Sequence, residues 1–279
     1  MKIIKFLSLI IIFLSSALTL KAEETYTIAT GQFQKIKITS NVSVVYKNLP
    51  DSAGFARYMA PAGNQDLFIL SVKNNGTLRI QSAQTGNKDE EYPILYVYSD
   101  FLDAVESSSN KTVVIENLNP CASFNVNQIG NGSIIVENIK CTDLTASITT
   151  GNGSIILSGS CENASFRMLG AGLISADRLS AENVKCSILG TGSIGCWPID
   201  NLNVKGIGST KIYYKGNPKI KKSGGGKLFE LPEEYGVTKS EEHVKVALET
   251  EPQKIEIVTS DDEEEEEDED FQTVVTLDD

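Results

Sequence analysis

The chain has 279 residues, with 25 Lys/Arg, 37 Asp/Glu and a single histidine, His243. One imidazole leaves histidine-based acid–base catalysis, serine triads and most zinc sites without raw material. The net charge of −12 is unevenly placed: residues 227–279 carry 20 acidic residues against 4 lysines, while residues 1–226 carry 17 against 21 cations. A body so near neutrality is unsuited to the phosphate backbone of a nucleic acid.

Residues 1–22 read as a secretory signal peptide. Lys2 and Lys5 form a basic start, an apolar run extends from Phe6 to about Leu20, and Ala22 is the candidate cleavage position before Glu23. The run falls short of the roughly 20 residues a bilayer span requires. No cysteine lies near the cleavage point to take a lipid, and no later stretch is apolar enough to span. The expectation is an exported protein of the periplasm, the outer-membrane surface or the medium.

Residues 23–106 alternate apolar and polar without a repeat. Phe33, Ile36 and Ile38 precede Val42, Val44 and Val45; later, Leu67–Val72 and Thr77–Ile80 flank Asn75-Gly76, a two-residue hairpin signal. Tyr92–Tyr98 and Leu102–Val105 follow. This irregular β portion is expected to be the first part of the same structure that the next segment builds, capping its open end rather than forming a separate domain.

Residues 107–226 are repetitive. A Gly-x-Gly unit leads into an aliphatic run five times: at Gly130 and Gly132, Gly151 and Gly153, Gly170 and Gly172, Gly190 and Gly192, and Gly206 and Gly208. A degenerate copy precedes them at Ser109–Val113. The first glycines are 21, 19, 20 and 16 residues apart, and all ten glycines are expected to make structural turns. Leu144, Ala146 and Ile148 precede the second copy, and Ile155 and Leu157 follow it; the other copies keep this grammar. Period-2 alternation predicts strands with one buried and one wet face. Two strands joined at a glycine corner make one coil of about 20 residues, and stacked coils share an apolar core. The predicted fold is therefore an all-β parallel β-helix, or β-solenoid. Strand follows glycine every time, which excludes a dinucleotide fingerprint, where a helix must follow.

Beyond Tyr214 the pattern stops, and Ser223-Gly224-Gly225-Gly226 reads as a flexible hinge. Residues 227–260 supply extra strands or a linker, with alternation at Val244, Val246 and Leu248 and again at Ile255, Ile257 and Val258. Residues 261–279 read as an acidic disordered tail, because the ten consecutive acidic residues 261–270 repel one another.

The serial Gly-x-Gly-Ser-Ile copies, ending in Ile212-Tyr213-Tyr214-Lys215-Gly216-Asn217-Pro218, resemble the head GIN domain family of exported proteins from Gram-negative bacteria, common in Bacteroidetes. The resemblance covers about residues 28–226. Thr210 departs from it, standing where the other copies have Ile. It implies a β-helix of pectin-lyase-like geometry without a recognised catalytic set, and an autotransporter-adhesin role that rests on analogy of fold.

No residue is expected to be catalytic, to bind a cofactor or to ligate a metal. Cys121, Cys141 and Cys161 are 20 apart and should stack at one corner, within the Cα range of a disulfide; a stack of three leaves one unpaired. Cys186 and Cys196 fall at inward positions and read as small buried hydrophobes. Polysaccharide-cleaving β-helices need clustered carboxylates, whereas Glu137 and Asp177 are scattered. The Asn-x-Ser/Thr triplets at Asn131 and Asn152 suit turn chemistry. Outward positions offer Arg167, Lys185 and Lys205 as a basic stripe and candidate ligand surface. The function read from these residues is a non-catalytic envelope binding or adhesion module for a glycan, or for an envelope or host surface protein. A polysaccharide-active enzyme and a structural spacer are its rivals.

Overall fold

The computed structural model describes residues 23–83 and 91–232. The expected signal peptide at residues 1–22, His243, the alternations between Val244 and Val258, and the acidic run lie outside those residues. The described strands are, in chain order, β1 (Glu23–Ala29), β2 (Lys35–Ile38), β3 (Val44–Asn48), β4 (Phe55–Pro61), β5 (Phe68–Val72), β6 (Thr77–Ser82), β7 (Leu95–Ser99), β8 (Ala104–Ser107) and β9 (Thr112–Glu116). They continue as β10 (Cys121–Ile129), β11 (Ser133–Thr150), β12 (Ser154–Met168), β13 (Leu173–Ile188), β14 (Ser193–Gly206), β15 (Lys211–Tyr214), β16 (Lys219–Gly224) and β17 (Lys227–Glu230).

The repeats stack as a parallel solenoid of about six turns with roughly 20-residue coils. Ile134, Ile155, Ile174, Ile194 and Ile212 occupy one register column, which Val113 and Val44 extend toward the N-terminal end. All seven are fully buried. Each such side chain contributes about 1.5–3 kcal/mol of transfer free energy, and every coil buries the face that its neighbour cannot cover alone.

The coils of β11 to β14 have three strand runs where alternation predicts two. The β11–β12 ladder comprises a leading run (Ser133–Val136), a short run (Ile139–Cys141) and a trailing run (Asp143–Ile148), with a register shift after Val136. The bend after the leading run is made by a residue in the left-handed region: Asn117 (φ 53°), Asn138 (φ 55°) or Gly159 (φ 125°) in successive coils. Asparagine tolerates that region better than other side chains, so these bends carry no Gly-x-Gly signature.

The glycine corners join each trailing run to the next leading run, and the two glycines of a corner do different things. Gly130 and Gly151 lie in the bend itself, at φ 103° and 77°. Gly132 lies at the end of the corner, just before the leading run, as do Gly153, Gly172 and Gly192. What requires glycine there is close approach between coils. A Cβ on Gly132 would overlap the Ser109 carbonyl oxygen of the preceding coil, and one on Gly192 would overlap that of Gly172. Backbone bonds link successive corners, among them Ser154 N–H to Gly132 O at 2.9 Å and Ser193 N–H to Gly172 O at 3.0 Å.

Two further expectations are corrected at the later corners. Thr210 does not enter the isoleucine column; it takes the place of Gly192, fully buried, and donates its hydroxyl to the Gly190 carbonyl at 2.8 Å. Gly224-Gly225-Gly226 is not a hinge but another corner, with Gly225 N–H bonded to Gly206 O and Gly226 N–H to Gly208 O. β16 and β17 then pair in parallel with β14 and β15.

The N-terminal strands belong to the same stack, in non-sequential order. β2 lies between β6 and β8, and β3 between β7 and β9, all in parallel. The chain thus lays one coil, runs outward, and returns to place β6 and β7 on its open side. β5 closes one edge antiparallel to β6, while β4 and then β1 add antiparallel to β7. The β5–β6 hairpin turns through three residues, Asn74-Asn75-Gly76, rather than two: Lys73 pairs with Thr77 and Gly76 takes φ 72°. One-sided burial also fails at this end. Val45, Tyr96, Tyr98 and Val114 point away from the main core yet are only 1–3% exposed, forming a second cluster with Ile94. Beside them Lys47 and Glu116 are a buried ion pair at 3.5 Å.

Candidate functional site

The trailing runs present a flat outward face along the stack, and its chemistry follows from register. Arg167, Ser187 and Lys205 form one outward row across β12, β13 and β14; Lys185 stands in the adjoining row, between Ser165 and Asn203. All three cations are exposed. Arg167 and Lys205 are two strand spacings apart, about 10 Å. They therefore share one face in two rows, a staggered patch rather than a single stripe.

The patch is part of a longer basic surface. The same rows include Lys35, Lys37 and Arg79 toward the cap and Lys221 on β16, with Lys219 in the next row. From Ser165 to Ser223 no outward position of a trailing run is acidic. Nearer the cap, Glu106 meets Lys37 at 2.6 Å and accepts a bond from Asn127 Nδ2 at 3.2 Å. Burial raises the Glu106 pKa, but the bonds from Lys37 and Asn127 and the charge of Lys37 outweigh it, so the carboxyl sits below its usual range.

Along one edge of this face runs an amide ladder. Asn163 Nδ2 donates to Asp143 Oδ1 at 3.0 Å, Asn183 Nδ2 to Asn163 Oδ1 at 3.1 Å, and Asn201 Nδ2 to Asn183 Oδ1 at 2.7 Å. Asn163 and Asn183 each spend one of two N–H groups and one of two lone pairs on the ladder. The other edge, at the glycine corners, is apolar: Leu169, Leu189 and Ile207 follow Met168, Ile188 and Gly206 and are 49%, 65% and 75% exposed. Neither edge stands out in the sequence. The i, i+20 recurrence of Asn163 and Asn183 is the available signal for the first, while the second is masked by the glycines around it.

The remaining candidates lie elsewhere. All ten corner glycines, Gly132 among them, sit between or at the ends of strand runs, holding the corners rather than facing a ligand. Asp177 is buried and accepts the Ser175 hydroxyl at 2.6 Å, and Glu137 follows a leading run two coils earlier, so they do not form a carboxylate pair on the basic face. Cys121, Cys141 and Cys161 are in register on the short runs, followed by Ala181. All five cysteines are free thiols, and both Cys186 and Cys196 are fully buried. Burial and the neighbouring Cys141 push the Cys121 thiol up to about 11. Contact with Cys161, together with burial, pushes Cys141 higher still, and contact with Cys186 and burial do the same for Cys196. Among the described residues no group of three or more His, Cys, Asp or Glu could hold a metal, and no helix is long and apolar enough to cross a membrane.

Residues 32–218 match the family described as "Putative auto-transporter adhesin, head GIN domain". The chain belongs to the head GIN domain family. Solved structures similar to this GIN-domain chain include a "putative adhesin" from Bacteroides fragilis at 22% identity and TM-score 0.66, and a "putative lipid binding protein" from Parabacteroides distasonis at 22% and 0.56. Another "putative adhesin", from Parabacteroides merdae, is 19% identical with TM-score 0.56. Each alignment covers 76% of this chain and 98% of the other. At such identity the likeness concerns the fold. Among curated proteins none matches.

Proposed function

We propose that this GIN-domain protein is an exported, non-catalytic cell-envelope module that binds a glycan through the outward face of its trailing runs. The observation that carries this reading is the juxtaposition of the amide ladder with Arg167, Lys185 and Lys205, with no acidic residue at the outward trailing-run positions from Ser165 to Ser223. Amides with spare donors and acceptors suit hydroxyls, and cations suit the carboxylates or sulfates of an acidic sugar polymer. The family's adhesin description agrees with a surface-binding role and against catalysis.

A glycan array probed with the full chain tests it. Acidic glycans should be retained, with retention falling as salt rises. Replacing Arg167, Lys185 and Lys205 together by Ala should weaken retention at least about tenfold while leaving the melting temperature unchanged, because all three are exposed. No retained glycan, or equal binding by the triple variant, would overturn the site. Release of reducing sugar from a bound polymer would overturn the non-catalytic part.

A further inference from the structure

The apolar edge of the basic face is not needed to hold a sugar, and it is not core. Leu169, Leu189 and Ile207 recur in three successive coils at the same place. The register brings this about: Leu169 N–H bonds to Ile148 O, Leu189 N–H to Met168 O and Ile207 N–H to Ile188 O. Single exposed apolar residues are ordinary, but three in line, spaced about 4.8 Å apart, form a continuous ridge. A groove lined by Arg167, Leu169, Ser187, Leu189 and Lys205 joins the ridge to the cationic row.

We infer that this edge docks the protein on an anionic lipid surface, with Leu169, Leu189 and Ile207 entering the headgroup boundary and Arg167, Lys185 and Lys205 meeting its phosphates. The inference rests on the reading of this face as the binding surface and adds a second ligand class to it. Charge complementarity selects the partner. A purely apolar partner would leave the adjoining cations unmatched, and a soluble anion would leave the ridge in water. A bilayer interface with anionic headgroups satisfies both, since apolar side chains sink about 5–10 Å into it and its negative surface potential attracts nearby Lys and Arg. Lys219 and Lys221 extend the charge at the β16 end, where Ile220 is also exposed. The ridge is anchored through the amides of Leu169, Leu189 and Ile207, each spent in a bond to the preceding coil.

Co-sedimentation of the full chain with vesicles tests this, comparing pure phosphatidylcholine with a mixture containing about one-third phosphatidylglycerol. Binding should need the anionic lipid and fall steeply between low and high salt. The double variant Leu189→Asp/Ile207→Asp should lose at least about tenfold in vesicle affinity. Both positions are exposed, so its melting temperature should match the parent chain, and its retention on the glycan array should persist. Absence of vesicle binding overturns the inference, as does equal binding to neutral vesicles or undiminished binding by the double variant. Vesicle binding by the parent chain without retention of any glycan on the array would overturn the glycan reading and leave this one standing.

Discussion

Ile155 shows what one position in a stacked column is worth. It is fully buried between Ile134 and Ile174 in neighbouring coils. Replacing it with Asp forces a charge into a site with no cation to meet it, or forces that charge to be neutralised at similar cost. Chemical denaturation of Ile155→Asp should show a loss of about 4 kcal/mol or more. The cysteines make a second residue-scale case. A thiolate is the reactive species, and burial and thiol contacts hold Cys121, Cys141 and Cys196 above the ordinary range. At pH 8 iodoacetamide should label these three slowly in the folded chain and rapidly in denaturant, as read by mass spectrometry. Rapid labelling of the native protein would contradict the geometry.

Among the elements, the trailing runs were the most legible in sequence. Leu144, Ala146 and Ile148, and their counterparts in the next coils, are buried as their alternation requires. The short run was not legible. It holds only three paired residues, too few for a period, and its bend is set by Asn138 in one coil and Gly159 in the next. The leading runs near the cap misled for the opposite reason: Val113-Val114-Ile115 is apolar throughout because both of its faces are covered, as continuous apolar strands generally are. Between elements, Glu106 ties β8 to β2 through Lys37. Because its folded-state pKa is depressed, the stability it adds is present above the ordinary carboxylate value of 4.5 and is lost as pH falls through the lower, folded value. Glu106→Gln should therefore cost under about 1 kcal/mol at pH 7 and flatten the fall in melting temperature below about pH 4.5, the pair being partly exposed.

At the scale of the molecule, a solenoid is a stack with two ends, and each end is an open sheet edge. Here the N-terminal end is closed by strands running against the stack: β5 on one side, and β4 and β1 on the other. Deleting residues 23–32 removes β1 and bares β4, which keeps only two paired positions with β7. The truncated chain should melt lower and self-associate with rising concentration, as read by light scattering. A monomer with unchanged melting would show that β1 is dispensable as a cap. The sequence by itself determined the fold class, the coil length, the glycine corners and the isoleucine column. Each of these is a local periodicity that burial or a close backbone approach imposes on residue type. Only the tertiary structure decided which glycine of a corner bends the chain and which, like Gly132, admits the coil below. It also decided the third run, the insertion of β2 and β3 between later strands, and the membership of the binding face. Those depend on which residues 20 to 70 positions apart come into register, so that Lys37, Glu106 and Asn127, or Asp143, Asn163 and Asn183, become neighbours only once the coils have stacked.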